Sequence, residues 1–378
     1  MSRRIRIVQL THLDGPGGGP RSLIKHMLFY LAESDSTILH GGSGLVARMC
    51  ERIGIPHHRV LLERKRWLVF GFFQVLVRLF QIRPDLLILH GQWAGPVGAV
   101  AGRLAGVRAI LYIVQWPSFY TDWDPGRILR NILAEWIPCR LATRVVTLCE
   151  GPRYQFLLRG LTTPAKILSI PNPLSQGVVP TIEDRNELRA EWGWKPDQVH
   201  VVSVGRLVDQ KRVDWLLQAW PEVSRRCPQA RLWVVGEGPE RKKLETLAAK
   251  MSLGSTVRFL GEQPNGWKFL AAADVAVMTT AYEGLGNVVA EAMAAGVPVL
   301  ASDADGPRDI LADGQQGFLV PPGDVAGLAA RLGDLVASRE LRVAMGKRGL
   351  EKAKEFDGNQ VLRQYWKVIQ DLVADPPA

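Results

Sequence analysis

Two glutamates, Glu283 and Glu291, lie eight positions apart in the stretch YEGLGNVVAEAM, residues 282–293. Carboxylate oxygens accept hydrogen bonds from hydroxyl groups, so the pair suits a ligand that is rich in hydroxyls. Gly284 and Gly286, which lie between them, allow the backbone to approach such a ligand closely. The plainer interpretation, with one acid near a helix N-terminus and the other facing solvent, stays open on this stretch alone.

Two cations and a helix start add groups that can bind an anion. Arg206 and Lys211 follow Gly205 and an apolar run in SVGRLVDQKR, residues 203–212. Arginine binds phosphate through a bidentate fork, and lysine binds it as a mobile point charge. The first amides of a helix have no intrahelical acceptor and favour anions. Here they would come from the turn and helix start at Gly284, Leu285, Gly286, Asn287 and Val288.

The elements that must position these residues are short strands and helices in alternation. Runs rich in Val, Ile and Leu that end in glycine, proline or polar residues indicate parallel strands covered on both faces. They are IRIVQL, DLLILH, AILYIV, RVVTL and AKILSI in the first half, and VHVVSVG, RLWVVG, VRFLG, VAVMTT and PVLAS in the second. The pattern predicts an α/β protein with two doubly wound domains, whose ligands bind beyond the carboxyl ends of the strands. We place the domains at residues 1–178 and 179–355, followed by a helical segment at 356–378.

Charge and cysteine content narrow the class of protein. Residues 1–180 carry 22 Lys and Arg against 10 Asp and Glu, whereas residues 181–378 carry 25 against 27, so the excess positive charge lies in the first half. Neither zinc-finger spacing nor an RNA-binding strand motif accompanies it, so we expect an anionic membrane surface or acceptor as partner, and no nucleic acid. The four cysteines form no CxxC pair, and the N-terminus passes directly into a strand; both predict a cytoplasmic enzyme without an export signal.

Five ordered motifs in the second half resemble those of the retaining glycosyltransferases of family 4, the glycosyl transferases group 1. They are SVGRLVDQKR, VVGEGPERKKLE, VRFLGE, the Glu-x7-Glu block EGLGNVVAEAMAAGVPVLASD and GQQGFLVPPGD, and they cover most of residues 200–325. The resemblance implies the GT-B fold, in which two Rossmann-like domains face a central cleft. It also implies that the donor binds to the second domain, that the acceptor binds to the first, and that the C-terminal helix crosses back onto the first domain.

The resemblance assigns roles to residues of the second domain. Glu283 would bind the hydroxyls of the donor sugar and be critical for catalysis, and Glu291 would bind the ribose of the nucleotide. Arg206 and Lys211 would stabilise the leaving diphosphate in place of a metal, so we expect no cofactor. Asp303 and Asp305 in SDADG have the spacing of a metal motif, but in a chain of this kind we interpret them as a turn after a strand.

The first domain matches the same family more loosely. Gly18 and Gly19 in DGPGGGPRS, residues 14–22, correspond to a glycine loop whose amides would face the donor phosphates. His90, at the end of DLLILH, would contact the acceptor, although a histidine at a strand end is as often simply hydrogen-bonded. Gln115 and Trp116, which follow the next strand, complete the predicted acceptor site.

Two positions depart from the family pattern. Gln115 stands where many relatives have histidine, and glutamine cannot serve as a base. In the family's retaining chemistry the departing phosphate is thought to take the acceptor proton, so the departure puts donor geometry in question more than the reaction class. Asp309 stands where glutamate is usual, and its shorter reach would alter sugar preference.

Residues 64–83, RKRWLVFGFFQVLVRLFQIR, form a helix pattern that is apolar over most of its surface. Its apolar part, about 24 Å long at 1.5 Å per residue, is too short to cross a bilayer. Basic residues at both ends and Trp67 suit a helix that lies in the interface of an anionic membrane. A core helix packed against the first sheet is an equally good interpretation.

The sequence thus predicts a metal-independent, retaining transferase of hexosyl or related groups, which would act in cell-surface polysaccharide or glycolipid synthesis at the inner face of the membrane. Its partners would be a nucleotide sugar and a sugar or lipid-linked acceptor. One rival is a nucleotide-sugar epimerase of the same fold, which would turn over donor without acceptor. Another is a catalytically silent sugar or lipid binder, which Gln115 favours. The base, the sugar, the acceptor and the oligomeric state stay open.

Overall fold

The chain divides into two compact units, each of which contains one parallel sheet. The structure, a computed structural model, describes residues 4–12, 18–31, 33–42, 44–62, 67–91, 93–120, 125–174 and 181–374. The first unit comprises Met1–Pro173 together with Gly358–Ala378, and the second comprises Leu174–Asp357. The C-terminal helix therefore belongs to the first unit.

The first unit has a seven-stranded sheet in the order β3-β2-β1-β4-β5-β6-β7, with every neighbouring pair parallel. The strands are β1 (Ile5–Thr11), β2 (Ser34–His40), β3 (His57–Arg59), β4 (Leu86–His90), β5 (Ala109–Val114), β6 (Arg144–Thr147) and β7 (Ile167–Ser169). The helices are α1 (Gly18–Tyr30), α2 (Leu45–Ile53), α3 (Leu68–Ile82), α4 (Ala94–Leu104), α5 (Pro125–Leu141) and α6 (Glu150–Leu158), together with the C-terminal helix Gly358–Ala374.

The second unit has a six-stranded parallel sheet in the order β10-β9-β8-β11-β12-β13. Its strands are β8 (Val199–Val204), β9 (Ala230–Val235), β10 (Val257–Gly261), β11 (Val275–Met278), β12 (Val299–Ser302) and β13 (Gly317–Val320). Its helices are α7 (Ile182–Glu191), α8 (Val213–Arg226), α9 (Arg241–Lys250), α10 (Gly266–Ala272), α11 (Asn287–Ala294), α12 (Asp305–Ile310), α13 (Val325–Ala337) and α14 (Arg339–Ala353). The C-terminal helix of the first unit completes the series as α15.

The sheets confirm the predicted fold class of two doubly wound α/β domains. Each of the ten predicted strands is present, and the central ones are buried along their whole length, as in β4, β5, β11 and β12. Burial on both faces explains why they read as continuous apolar runs. Three strands were not predicted from the sequence: β2, which begins with the polar run SDST; β3, which is three residues long; and β13, which lies inside the GQQGFLVPPGD motif.

Helix α15 is amphipathic and packs its apolar side on the first unit. Val361, Tyr365 and Ile369 on this side are completely buried. The hydroxyl of Tyr365 donates a hydrogen bond to the carbonyl of Ile170 at 3.0 Å. Its ring meets the ring of His26 on α1 edge to face, with centroids 4.4 Å apart. The helix is thus held by both apolar burial and a specific buried hydrogen bond.

Helix α3, which contains the apolar segment, is buried on one side and exposed on the other. Its inner side, with Gly71, Val75 and Leu79, is buried, and a Cβ on Gly71 would lie 2.4 Å from the carbonyl oxygen of Leu61. Its outer side leaves large apolar side chains exposed: Val69, Phe70, Phe73, Val77 and Phe80. The basic residues predicted at its start, 64–66, lie outside the described residues.

Among the helices that the structure describes, none combines the length and the apolar character needed to cross a membrane.

Candidate functional site

The order of strands in the second sheet marks where a ligand should bind. Strands β9 and β10 follow β8 on one side of the sheet, and β11 to β13 lie on the other side. The order reverses between β8 and β11, and ligands of open α/β sheets bind in the crevice beyond the carboxyl ends of strands at such a point. The predicted residues Arg206 and Lys211 follow β8, and Glu283 follows β11.

Hydrogen bonds join the two loops that leave these strands. The Thr279 hydroxyl donates to the carbonyl of Lys211 at 2.9 Å, and the Ala281 amide donates to the carbonyl of Gln210 at 2.9 Å. The Gln210 side-chain amide in turn donates to the carbonyl of Tyr282 at 2.9 Å. These bonds fix the Lys211 backbone relative to the chain that carries Glu283.

Lys211 and Glu283 form an ion pair at this crevice. The ammonium of Lys211 donates to Oε2 of Glu283, and the two side chains are only 18% and 15% exposed. Oε1 of Glu283 accepts from the Gly284 amide at 3.2 Å. Arg206 is exposed and lines the same small cavity as Gly205, Lys211 and Thr279. The sequence predicted all three charged residues for the site, but it did not predict that two of them would pair.

Helix α11 starts beside the ion pair. Gly286 precedes its first residue and has φ +79°, a left-handed conformation that glycine adopts without steric cost. The amides of Asn287 and Val288 belong to the first turn and have no acceptor within the helix. Leu285 is buried, and a Cβ on Gly306 would lie 2.6 Å from its backbone, so α12 packs directly on this turn.

Glu291 lies further along α11 and is half-buried, and Asp303 follows β12. Arg308 pairs with Asp303, with Nε 2.7 Å from the carboxylate, and lies 3.9 Å from Asp305. These contacts fit the predicted turn. Among the residues that the structure describes, no group of three or more His, Cys, Asp or Glu side chains is arranged to hold a metal ion.

The backbone of the turn GEGP, residues 236–239, packs directly against the backbone of the loop that carries Arg206. A Cβ on Gly236 would lie 1.8 Å from the carbonyl oxygen of Gly205, and one on Gly238 would lie 2.2 Å from that of Leu207. The Leu207 amide donates to the carbonyl of Glu237 at 2.8 Å. The glycines of this motif are therefore required by close packing within the protein.

In the first unit the strand order reverses between β1 and β4, and the predicted residues there are Gly18, Gly19 and His90. Gly18 and Gly19 are the first two residues of α1; residues 13–17 of the glycine loop lie outside the described residues. His90 ends β4, but its side chain is only 3% exposed, and its Nε2 is 3.0 Å from Oε1 of Gln9. Burial lowers the pKa of His90 to about 3, so the ring is neutral.

Gln115 and Trp116 follow β5, the strand next to β4, and both are half-buried. They lie at the carboxyl edge of the first sheet, as predicted for an acceptor site. Of the three predicted acceptor residues, these two are the ones whose side chains reach solvent.

Comparison with known proteins identifies several glycosyltransferases among the relatives of this chain. Residues 184–352 match the model of the family described as Glycosyl transferases group 1. The chain is 34% identical over 321 residues to the putative glycosyltransferase EpsD of Bacillus subtilis, covering 81% of each chain. It is 38% identical over 163 residues to the lipopolysaccharide core biosynthesis glycosyltransferase LpsE of Rhizobium meliloti, covering 43% of this chain and 47% of that protein. The match thus spans about half the length of LpsE.

The fold is shared by solved structures of lower identity. The structure of HepE from Anabaena in complex with UDP-glucose superposes with a TM-score of 0.85 at 22% identity, covering 98% of this chain and 100% of that one. At this level of identity the likeness shows the fold alone. It confirms the GT-B fold that the sequence motifs predicted.

Proposed function

Because this chain belongs to the glycosyl transferases group 1, we propose that it moves a hexosyl or related group from a nucleoside-diphosphate sugar to an acceptor hydroxyl, with retention of anomeric configuration. The relatives named for lipopolysaccharide core synthesis support a role in cell-surface polysaccharide or glycolipid synthesis. The observation that carries the proposal is the Lys211–Glu283 ion pair at the reversal point of the second sheet, beside the start of α11.

The pair supplies one group for each half of the donor. The ammonium of Lys211, the exposed guanidinium of Arg206 and the first amides of α11 would bind the diphosphate. The carboxylate of Glu283 would accept hydrogen bonds from sugar hydroxyls, and that of Glu291 from the ribose. In the free protein Lys211 and Glu283 neutralise each other, so donor binding exchanges one ion pair for two sets of ligand contacts.

Charge on the leaving diphosphate grows as the glycosidic bond breaks. Fixed cations and helix amides stabilise such charge without reorganising at the moment of reaction. Lys211 and Arg206 would therefore replace a divalent metal. The acceptor hydroxyl would attack from the face that the diphosphate leaves, and the departing phosphate oxygen would take its proton. Gln115 need not act as a base in this scheme.

We also propose that the first unit docks on an anionic membrane at the cytoplasmic face. Helices α3, α4 and α5 pack side by side, and α3 exposes Phe70 and Phe73 at 58% each. Helix α5 adds exposed Leu129, Leu133 and Trp136. Exposed Arg127 and Arg130 on α5 complement acidic headgroups.

A panel of UDP, GDP and ADP sugars tests the proposed reaction. Release of nucleoside diphosphate is measured with and without a membrane lipid extract, and the anomeric configuration of the product is read by NMR. Release that needs the extract, with retention, supports the proposal. Conversion of the donor into an epimeric nucleotide sugar, without acceptor and without release of nucleoside diphosphate, supports the epimerase. Binding of the donor without either reaction supports the silent binder.

A matched pair of variants ties the result to the site. Glu283→Gln should abolish transfer. Glu222→Gln removes a carboxylate that is also ion-paired, in an exposed pair with Arg225 near the far end of α8, and should leave activity unchanged. Equal activity of the two variants would contradict the role of Glu283.

A further inference from the structure

A second charged cleft lies in the second unit, at the amino ends of its strands, whereas the Lys211–Glu283 site lies beyond their carboxyl ends. It has a volume of about 300 Å³. Asp274, which precedes β11, and Pro298, which precedes β12, lie on its wall, whereas the donor site lies beyond the other ends of these strands. Four arginines line the cleft: Arg185 and Arg189 of α7, and Arg339 and Arg342 of α14.

Three of the arginines are held in place by backbone carbonyls. Arg189 donates through Nε to a carbonyl at the end of α10 at 2.8 Å, and through Nη2 to Asp274 at 2.8 Å. Arg185 donates to the carbonyl that follows α10. Arg342 donates through Nη1 to two carbonyls near the end of α13 at 2.9 and 2.7 Å. Capping of helix ends accounts for these bonds, but a guanidinium has five N–H groups, so donors remain on each.

Arg339 needs a different explanation. It is exposed and is the first residue of α14, where the helix dipole disfavours a cation. Within the part of the chain that the structure describes, no hydrogen bond or ion pair engages its side chain. Helix stability and local packing therefore give no reason for an arginine at this position.

The positive charge of the cleft is not balanced by the residues that line it. Asp274 is the one carboxylate in the lining, and its second oxygen already accepts from the His200 amide at 2.8 Å. Burial lowers the pKa of Arg185 and Arg342; neighbouring arginines lower it further, and Asp274 opposes the shift in both without reversing it. Like charges held close together and partly out of water repel each other, so an anion between them would be bound favourably.

We propose that this cleft binds a phosphorylated small molecule, at a site separate from the Lys211–Glu283 site. Arginine forks match phosphate oxygens in pairs, and guanidinium groups fixed in advance lose little entropy on binding. The volume is at the lower end for small-molecule sites and suits a diphosphate or a sugar phosphate. The proposal does not depend on the reaction proposed above, because it rests on other residues.

Isothermal titration with inorganic pyrophosphate tests the proposal. The Lys211→Met protein serves as background, since the loss of this ammonium weakens pyrophosphate binding at the Lys211–Glu283 site. Binding should persist in this background and should weaken about ten- to a hundredfold on adding Arg339→Glu, the loss expected for one charge-assisted contact. Among the described residues no hydrogen-bond or ion-pair partner engages Arg339, and glutamate suits a helix N-terminus, so the variant should be at least as stable towards urea as its parent.

Lys347→Glu is the matched control, because Lys347 is an exposed cation on the same helix that does not line the cleft. It should leave the affinity unchanged. Three results would each overturn the proposal: no binding in the Lys211→Met background, the same affinity with and without Arg339→Glu, or an equal loss with Lys347→Glu, which would indicate attraction by overall charge alone.

Discussion

Replacing Glu283 by glutamine should tighten the binding of the free nucleoside diphosphate while transfer is lost. The carboxylate of Glu283 holds the ammonium of Lys211 in the free protein. A diphosphate must therefore compete with Glu283 for Lys211. Glutamine keeps the size of the side chain and a hydrogen-bond acceptor but removes the charge, so the competitor becomes weaker.

The magnitude follows from the burial of the pair. Ion pairs at an exposed surface contribute about 0.2–1 kcal/mol, and removing one partner of a fully buried pair costs about 3–5 kcal/mol. With 18% and 15% of the side chains exposed, we place the Lys211–Glu283 pair between these limits, at about 1–2 kcal/mol. Each 1 kcal/mol that the free state loses makes binding about fivefold tighter. Lys211→Met removes a contact to the diphosphate itself and should weaken binding about ten- to a hundredfold.

Calorimetric titration of both single variants, the double variant and wild type with the nucleoside diphosphate that the panel identifies would measure these effects. In the double variant Glu283→Gln should bring no gain, because there is no ammonium left to release. Weaker binding in Glu283→Gln than in wild type would refute the competition between carboxylate and diphosphate. A gain that persists without Lys211 would refute it as well.

Three further predictions concern packing, pH and the membrane. Gly236→Ala should destabilise the second unit by about 2–3 kcal/mol in urea unfolding, since its Cβ would lie 1.8 Å from a carbonyl oxygen. Gly254→Ala is the control and should be close to neutral, because its Cβ would meet nothing within 4 Å. Burial holds the pKa of His90 near 3, below its ordinary value of 6.5, so the stability that the neutral ring contributes is complete above pH 6.5 and is lost as the pH falls. Between pH 7 and pH 5 the free energy of unfolding of His90→Gln should therefore fall by about 2 kcal/mol less than that of wild type. An equal fall in the two proteins would place the histidine in contact with water. Phe70→Ser with Phe73→Ser should release the protein from liposomes of anionic lipid at unchanged unfolding midpoint, and persistent binding would exclude the outer side of α3 as the docking surface.

The sequence predicted the central strands and the site loops because their signals are local. A parallel strand buried on both faces is an apolar run wherever it lies, and polar residues after it must lie at the carboxyl edge. The strands β2 and β3 gave no such signal, because they are defined by pairing with β1 and with each other rather than by their own composition. Strand β3 is a three-residue edge strand, and β2 carries its buried apolar side chains, Ile38 and Leu39, only near its end.

Contacts between distant segments could not be predicted from the sequence. Lys211 and Glu283 are 72 positions apart, and each was assigned to the ligand without the other. The arginine cleft joins α7 to α14, about 150 residues later in the chain. Its only local signals were the four-residue spacing of Arg185 and Arg189 and the three-residue spacing of Arg339 and Arg342, which put each pair on one side of its helix. Which pairs face each other depends on the topology of the sheet.

The motif glycines show how the fold fixes the site. Gly236 lies in one of the family motifs and Gly306 ends the SDADG turn, and glycine near a ligand is usually explained by close approach of the ligand. In this protein a Cβ on either would instead collide with the backbone of another site loop, at Gly205 and at Leu285. These two contacts hold the loop of Arg206 and the turn before α11 from opposite sides. A site that must present cations and amides at fixed points benefits from such support, because preorganised groups need not move when charge develops. The glycines therefore fix the position of the loops, and their replacement should impair binding of the proposed donor without any change in the groups proposed to contact it.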